Sequence, residues 1–397
     1  MFKTIRDNFQ NSICLDRIKY VIFIGLILVL CFINACGYNK DKPDEKKKFA
    51  TLEQIEFGNI EYNPDTDIDN SYRYLNDYCA SSEGCYFFKM NLNLKDILTF
   101  VDNHGKNIVP VCSKADCLHD SKDCDAVFDE FVLGIGWYDG SIYTILAEQT
   151  YDEGRFAFFL YKISDNGSSR EKVFELYLSD PDPVAPFFYI HRGYIYYTVV
   201  SGERTLLYKR SLKGDAPELV YEVNGISSDL INIKGYGDGV LFACMQEDTH
   251  YKIIYYSIKN DSLYELVSKT GFSYAISEDS IAYIDGSSMY KMSLSDFNKA
   301  VIAENLNESL EIMSDGKKIY VDNLSMVNSG KNKTRKIDIY SFEGKLEDSI
   351  TLDDVYAEFE VGNGDYILIE FSDRSIKTLD KSQIGTGNHD MKVIYSE

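Results

Sequence analysis

The chain has 397 residues, with 63 acidic and 41 basic side chains and a formal net charge of −22 at pH 7. An acidic surface repels the phosphate backbones of DNA and RNA, so the composition excludes a nucleic-acid partner. Aromatic residues make up 14% of the chain, and its short apolar runs are rich in β-branched and aromatic residues, which favours an all-β fold.

The first 35 residues have the organisation of an export signal. A weakly basic leader precedes an apolar run at residues 20–33. This run is shorter than the roughly 20 residues of a membrane-spanning helix and fits the core of a signal peptide. It ends in Ile33-Asn34-Ala35-Cys36, which resembles the lipobox of bacterial lipoproteins. The resemblance implies cleavage before Cys36, lipidation of its sulfur and a lipid anchor that holds the chain at the extracellular face of the cell membrane.

Residues 36–57 are predicted to form a flexible tether behind the lipidated cysteine. The segment 37–48 is charged, lacks aliphatic side chains and contains Pro43. Such a composition cannot bury enough apolar surface to fold. The folded domain is therefore predicted to span residues 58–397.

One pattern recurs along residues 58–397: a turn with Gly or Asp, then a strand of apolar and tyrosine residues. Its seven copies occupy residues 83–88, 138–145, 192–199, 237–244, 278–285, 315–322 and 363–370. Further short apolar runs follow most copies and end in turn residues, so the unit is a small antiparallel meander. Such a unit cannot bury both faces alone, whereas copies arranged around an axis bury them against each other. The sequence predicts a β-propeller with seven blades, with six or eight blades, a β-sandwich or two smaller β-domains as alternatives.

Six cysteines follow Cys36, and outside the cytosol such thiols can form disulfides. Cys79 and Cys85 lie on either side of a turn that contains SSEG, so we expect them to form a local disulfide across a hairpin. Cys244 lies in an apolar strand pattern, which is typical of a buried, reduced thiol.

Residues 110–126 are predicted to be an insertion between the first two repeats, and they contain Cys112, Cys117, His119 and Cys124. Thiolate and imidazole ligands suit a tetrahedral Zn²⁺ site. The spacing lacks the C-x2-C knuckle of most structural zinc sites, and oxidation competes for exported thiols, so disulfides within the loop and reactive thiols remain alternatives. Both leading interpretations, zinc and disulfides, make the loop a structural staple, because a catalytic zinc needs an open coordination position.

The repeat in an exported chain resembles the TolB-like and quinoprotein-like β-propeller lipoproteins of Gram-positive bacteria. The pattern P-x-C-x4-C-x-H-D-x3-C-x-A at residues 110–126 is similar to a segment of uncharacterised lipoproteins of Clostridia and their relatives. The resemblance implies a propeller at the cell surface and supplies no activity.

The sequence predicts a non-enzymatic module that binds a protein or carbohydrate ligand, because the short motifs of nucleotide, serine-hydrolase and zinc-protease sites do not occur. One alternative is an enzyme of lyase, glycosidase or cyclase type that uses the propeller channel, and another is a scaffold for an exported assembly. The carboxylates that recur at the turn of the repeat are the candidates for channel chemistry, although a recurring position favours a turn role: Asp139, Asp238, Asp279 and Asp315. Trp137 and Tyr138 are candidates for stacking on a sugar ring.

Overall fold

The computed structural model describes residues 47–55, 78–90, 95–150, 155–179, 184–224, 230–246, 250–306, 311–323, 334–354, 356–361 and 364–396. The predicted signal peptide and Cys36 lie outside these ranges. None of the described helices is long and apolar enough to span a bilayer.

The described strands form seven antiparallel sheets, and each sheet is built from one continuous part of the chain. The first sheet, blade 1, contains β1 (Tyr78–Ala80), β2 (Gly84–Met90), β3 (Asp96–Asp102), β4 (Ile108–Pro110) and β5 (Val127–Phe128). Blade 2 contains β6 (Phe131–Tyr138), β7 (Ser141–Gln149), β8 (Phe156–Ser164) and β9 (Arg170–Leu178). Blade 3 contains β10 (Phe188–His191), β11 (Tyr194–Ser201), β12 (Arg204–Ser211) and β13 (Glu218–Asn224).

The remaining four sheets have the same four-stranded order. Blade 4 contains β14 (Leu230–Tyr236), β15 (Gly239–Met245), β16 (Tyr251–Ser257) and β17 (Ser262–Thr270). Blade 5 contains β18 (Tyr274–Ile276), β19 (Ser280–Asp285), β20 (Ser288–Ser293) and β21 (Lys299–Ala303). Blade 6 contains β22 (Glu311–Ser314), β23 (Lys318–Asn323), β24 (Arg335–Ser341) and β25 (Leu346–Leu352). Blade 7 contains β26 (Glu358–Val361), β27 (Tyr366–Glu370), β28 (Ile376–Asp380), the 3₁₀ turn η2 (Lys381–Gln383) and β29 (Met391–Tyr395).

The seven sheets are the blades of a closed ring, which confirms the predicted all-β, seven-bladed propeller. The first strands of neighbouring blades contact one another, as β1 with β6 and β6 with β10, so they surround the centre and the last strands form the outer rim. A buried apolar cluster lies between every neighbouring pair of blades, including blades 7 and 1. Each predicted copy of the repeat forms the second strand of its blade.

Among the described residues, the ring closes between blades 7 and 1 by packing and hydrogen bonds between the two sheets, because each sheet contains only its own consecutive strands. Tyr366 and Leu368 of blade 7 pack there against Phe87 of blade 1. The backbone N–H of Asp365 donates to the carbonyl of Asn103 at 3.1 Å across the same boundary. Contacts alone therefore hold the two ends of the ring together.

The predicted tether is wrong at its C-terminal end, because residues 47–55 are docked on the outer rim of blade 4. Phe49 forms a parallel bridge with Leu263 of β17. The N–H of Ala50 donates to the Leu263 carbonyl at 2.8 Å, and the N–H of Leu263 donates to the Lys48 carbonyl at 3.1 Å. A short 3₁₀ helix, η1 (Leu52–Gln54), follows. We call residues 47–55 the rim strap.

The predicted disulfide between Cys79 and Cys85 is also wrong, and the strand register gives the reason. Cys79 lies opposite Tyr86, whereas Cys85 lies opposite Ala80. Successive side chains of a strand point to opposite faces, so the two sulfurs are on opposite sides of the sheet. Cys79 packs against blade 2 and Cys85 packs against blade 7, and both thiols are free.

Candidate metal centre

The predicted Cys/His insertion interrupts the outer strand of blade 1. Both β4 and β5 pair with β3. Between them, Leu98 of β3 accepts from the N–H of Val111 at 2.9 Å and donates to the carbonyl of Ala126 at 2.8 Å. Residues 112–125, the Cys/His excursion, thus leave and rejoin the same strand at one position, so both ends of the loop are fixed by the sheet.

The base of the excursion packs against blade 2. The guanidinium of Arg170, at the start of β9, donates to the carbonyls of Asp125 and Val127 at 2.9 and 3.0 Å. The same guanidinium lies 3.5 Å from the centre of the Phe128 ring. The excursion therefore spans the boundary between two blades at the outer rim.

The excursion brings all four predicted ligands together. The sulfurs of Cys112, Cys117 and Cys124 and a ring nitrogen of His119 lie within 4.8 Å of one another. His119 adopts a left-handed backbone with φ of 55°, which turns its side chain toward the cysteines, and its Nδ1 lies 3.2 Å from the Cys124 sulfur. Cys124 is buried at 3% exposure, and the other three ligand residues are half-buried.

Asp125 holds the start of the excursion in place. Its carboxylate accepts from the N–H and the hydroxyl of Ser113 at 3.3 and 2.6 Å, and Lys114 pairs with its other oxygen at 3.1 Å. These bonds lower the pKa of Asp125, with the Ser113 hydroxyl as the largest contribution. The carboxylate therefore remains charged at neutral pH and orders the residues beside Cys112.

The thiols have different surroundings. Burial raises the pKa of Cys112, but hydrogen bonds from the backbone N–H groups of Lys114 and Asp125 outweigh it, and the net effect lowers the pKa. Burial raises the pKa of Cys124 to about 12. A metal cation binds the thiolate form of cysteine. Cys124, with its raised pKa, therefore needs the metal to lose its proton at neutral pH more than Cys112 does.

The donor set and its compactness fit Zn²⁺. Bonds of about 2.3 Å to sulfur and 2.0–2.1 Å to nitrogen give tetrahedral edges of roughly 3.5–3.8 Å. The His119 Nδ1 and Cys124 sulfur are 3.2 Å apart and all four donors lie within 4.8 Å of one another, so small shifts bring them to these edges. Four protein ligands fill a tetrahedral site, which is the arrangement of structural rather than catalytic zinc. Among the described cysteines, Cys244 lies outside blade 1. It is buried in β15, forms no disulfide, and its sulfur lies 3.8 Å from the Tyr221 hydroxyl.

The recurring aspartates have turn roles in the structure. Asp238 accepts from the Tyr255 hydroxyl at 2.6 Å and from the backbone of Lys259 at 3.0 Å. Asp315 accepts from the backbone of Lys318 at 2.9 Å, and Asp279 accepts from the Ser277 hydroxyl at 3.0 Å.

The other predicted site residues, Asp139, Trp137 and Tyr138, lie at the hairpin between β6 and β7 and also have structural roles. Asp139 adopts a left-handed backbone, with φ of 47°, in the turn between β6 and β7. Trp137 stacks on Tyr86 at 5.3 Å, and Tyr138 packs in the cluster between blades 2 and 3.

Three other aromatic residues lie at the end of the ring where the first strands begin. Phe131 is the first residue of β6 and is 58% exposed, and Tyr356, just before β26, is 65% exposed. Phe156 begins β8 at the same end and contacts Phe131 edge-on at 6.4 Å. We call this surface the aromatic mouth. The sequence did not indicate it, because these residues have the same types as the many buried tyrosines and phenylalanines.

No protein-family model and no curated protein matches the chain. Among solved structures, TolB from Acinetobacter baumannii is 16% identical with a TM-score of 0.38, over 65% of this chain and 59% of that one. A putative 6-phosphogluconolactonase from Bacteroides fragilis is 12% identical with a TM-score of 0.45, over 84% of this chain and 95% of that one. An uncharacterised protein from Listeria monocytogenes is 8% identical with a TM-score of 0.45. The propeller is assigned from its own seven sheets, and no substrate or partner follows from these likenesses.

Proposed function

We propose that the protein is a lipid-anchored binding module of the cell surface, in which the aromatic mouth contacts a protein or carbohydrate ligand. The observation that carries this proposal is the exposure of Phe131 and Tyr356. They are the two most exposed aromatic side chains in the described part of the chain, and both lie at one end of the ring, whereas the third exposed ring, Phe49, lies in the rim strap. Rings that are half in water and held by a rigid sheet provide contact area at low entropic cost. They lie at the edge of the channel, where a ligand reaches several blades at once.

The anchor in this proposal is Cys36, which the lipobox-like sequence marks for lipidation. Two or more acyl chains give stable attachment, at about 0.8 kcal/mol per buried methylene. A binding module gains from such attachment because the ligand surface stays at the cell.

The Cys/His excursion in this proposal holds one structural Zn²⁺ through Cys112, Cys117, His119 and Cys124. The convergence of the four donors at the rim supports a staple, since the site is remote from the channel. The metal would supply four bonds that close the loop, and Asp125 and Arg170 orient the loop around it.

Ligand binding is tested with Phe131→Ala and Tyr356→Ala, screened on arrays of bacterial surface glycans and exported proteins. We expect at least one specific binder whose affinity falls ten-fold or more in both variants. Val393→Ala is the control, because Val393 is 52% exposed but lies on the outer strand of blade 7. Binding that is unchanged in both aromatic variants would contradict the aromatic mouth as the ligand surface.

The metal is tested by elemental analysis and intact mass of the purified full chain. We expect one zinc per chain, lost in Cys117→Ser and kept in Cys244→Ser, whose thiol lies in another blade. A mass deficit of two hydrogens that maps to the excursion, with no metal bound, would establish the disulfide alternative instead.

A further inference from the structure

The rim strap joins three blades through its side chains. Lys47 pairs with Asp261 of blade 4 at 2.5 Å and lies 3.9 Å from Glu218 of blade 3, and its side chain is only 17% exposed. Phe49 contacts Tyr221 of blade 3 edge-on at 6.2 Å. Leu52 and Ile55 pack against the apolar cluster between blades 4 and 5. The strap is therefore a fixed part of the rim at blades 3–5.

The strap also determines how far the ring lies from residue 36. Ten residues separate Cys36 from Lys47. Even fully extended they span at most about 40 Å. A domain of this length has a diameter of roughly 50 Å. The tether therefore reaches the near rim more easily than the far rim.

Blade 1 lies on the far side of the ring. It is three blades from blade 4 in a ring of seven, or about 150° around the axis. The Cys/His excursion projects from the outer strand of this blade. The strap and the candidate metal centre thus occupy nearly opposite sides of the rim.

We propose that the rim strap sets the orientation of the propeller at the lipid surface. The rim of blades 3–5 faces the bilayer, and blade 1 with its Cys/His excursion faces away from it. Both ends of the channel, including the aromatic mouth, then open sideways and are accessible to ligands. This proposal rests on the membrane attachment of the proposed function.

The test uses the full chain in lipid vesicles whose head groups carry an energy-transfer acceptor. A donor dye is attached to an azide-bearing residue introduced at position 269 in β17 of blade 4, or at position 109 in β4 of blade 1. Both native side chains are exposed. We expect at least two-fold greater transfer from position 269 than from position 109.

The matched control releases the strap with Leu52→Asp and Ile55→Asp, which put charges against the cluster between blades 4 and 5. The remaining cluster residues stay within the blades, and circular dichroism checks that the ring is folded. Hydrogen exchange of residues 47–55 checks that the strap, which also pairs with Leu263, has left β17. We expect the difference in energy transfer between positions 269 and 109 to disappear, because the chain that links Cys36 to the ring is then longer and joins the ring at blade 1. Equal transfer in the unaltered chain, or a difference that survives release, would refute the proposed orientation.

The same experiment separates this proposal from the lipid anchor. In Cys36→Ala, cleavage before residue 36 is prevented, so the apolar run at residues 20–33 stays on the chain. Although too short to cross the bilayer, it is expected to insert and keep the chain on the vesicle, which flotation of the vesicles checks. A difference that persists in this variant, together with a mass for the unaltered chain that shows no lipid, keeps the orientation and rejects lipidation. If the chain is lipidated but energy transfer from positions 269 and 109 is equal, the proposed orientation is wrong while the lipid anchor stands.

Discussion

At the scale of single residues, a buried ion pair connects blade 6 to blade 7. The side chains of Asp322 and Arg335 are 0% and 4% exposed, and Arg335 Nε donates to Asp322 Oδ1 at 2.8 Å. The same guanidinium donates to the carbonyl of Ala357, which precedes β26. The pair thus holds two blades in one geometry, and each charge depends on the other because neither is hydrated.

Asp322→Ala is expected to lower the free energy of unfolding by about 3–5 kcal/mol, because it leaves the Arg335 guanidinium buried without its counter-ion. Urea denaturation at neutral pH measures this loss. Glu222→Ala is the control, since Glu222 pairs with an Arg204 side chain that is half exposed, and such pairs contribute about 1 kcal/mol or less. Similar losses of unfolding free energy in the two variants would show that the buried pair stabilises the fold no more than an exposed pair does.

Asp348 gives the fold a dependence on acid pH. Burial raises the pKa of this carboxyl, but hydrogen bonds from His389 at 2.9 Å and from the N–H of Gly385 at 2.7 Å outweigh it, and its pKa lies below its usual range. A depressed pKa in the folded state stabilises the protein above the unfolded pKa near 4, and this contribution is lost as the pH falls through the folded pKa.

Asp348→Asn is therefore expected to lower the free energy of unfolding by about 1 kcal/mol at pH 7, and the difference from the unaltered chain should shrink below about pH 4. Urea denaturation at several pH values measures it. Asp129→Asn serves as a surface control, because the side chain of Asp129 is 44% exposed. If the difference in unfolding free energy between the variant and the unaltered chain stays constant down to pH 3, the charge of Asp348 does not contribute to stability.

At the scale of elements, the sequence predicted the second strand of every blade because a turn and a long alternating pattern mark it. The first strands were not predicted, since a strand such as β18, Tyr274–Ile276, is too short for its pattern to be read. The four ligands were predicted from their residue types. Their position opposite Leu98 was not, because it depends on pairing with β3 rather than on the loop itself.

The wrong predictions of a disulfide and of a tether have the same physical origin. A sequence pattern does not show which residues of distant or paired segments lie opposite one another. Cys79 and Cys85 are close along the chain, but a shift of one residue between paired strands places their sulfurs on opposite faces. The rim strap has a charged neighbourhood typical of a linker, yet Leu52 and Ile55 find an apolar cluster that only the assembled blades create. Both outcomes follow from contacts between segments far apart in the chain.

The junction between the Cys/His excursion and blade 2 is expected to be sensitive at Gly167. Its backbone is left-handed, with φ of +75°, and an added Cβ would lie 2.2 Å from the Val111 carbonyl oxygen. Gly140 has a similar φ of +69° but open space around its Cβ position. Gly140→Ala should cost only the backbone strain, about 1 kcal/mol, whereas Gly167→Ala should cost at least twice as much because blade 1 must move. Denaturation of the two variants measures the difference, and equal losses would show that the blades separate freely at this junction.

At the scale of the whole molecule, the boundary between blades 7 and 1 differs from the other six. Every other boundary joins blades that are consecutive in the chain, so their separation is limited by a connecting segment. Among the described residues, the closure is opposed to opening by non-covalent contacts: the packing around Phe87 and Tyr366, a few hydrogen bonds, and the contacts of His104 with Asp365 and of Lys89 with Tyr395. We therefore expect the ring to open there first.

If the ring opens first between blades 7 and 1, two similar core substitutions should give different patterns of hydrogen exchange. Phe87→Ala at the closure and Phe242→Ala between blades 3 and 4 each remove a fully buried ring and should each cost about 3–5 kcal/mol. Hydrogen exchange followed by mass spectrometry should separate them. In Phe87→Ala, exchange should accelerate on the order of 100-fold in blades 1 and 7 while blade 4 stays protected, since local opening breaks only the closure. Phe242→Ala should not produce such a local opening, because the chain still connects blades 3 and 4. Acceleration spread evenly over all seven blades in both variants would instead mean that the ring unfolds as one cooperative unit.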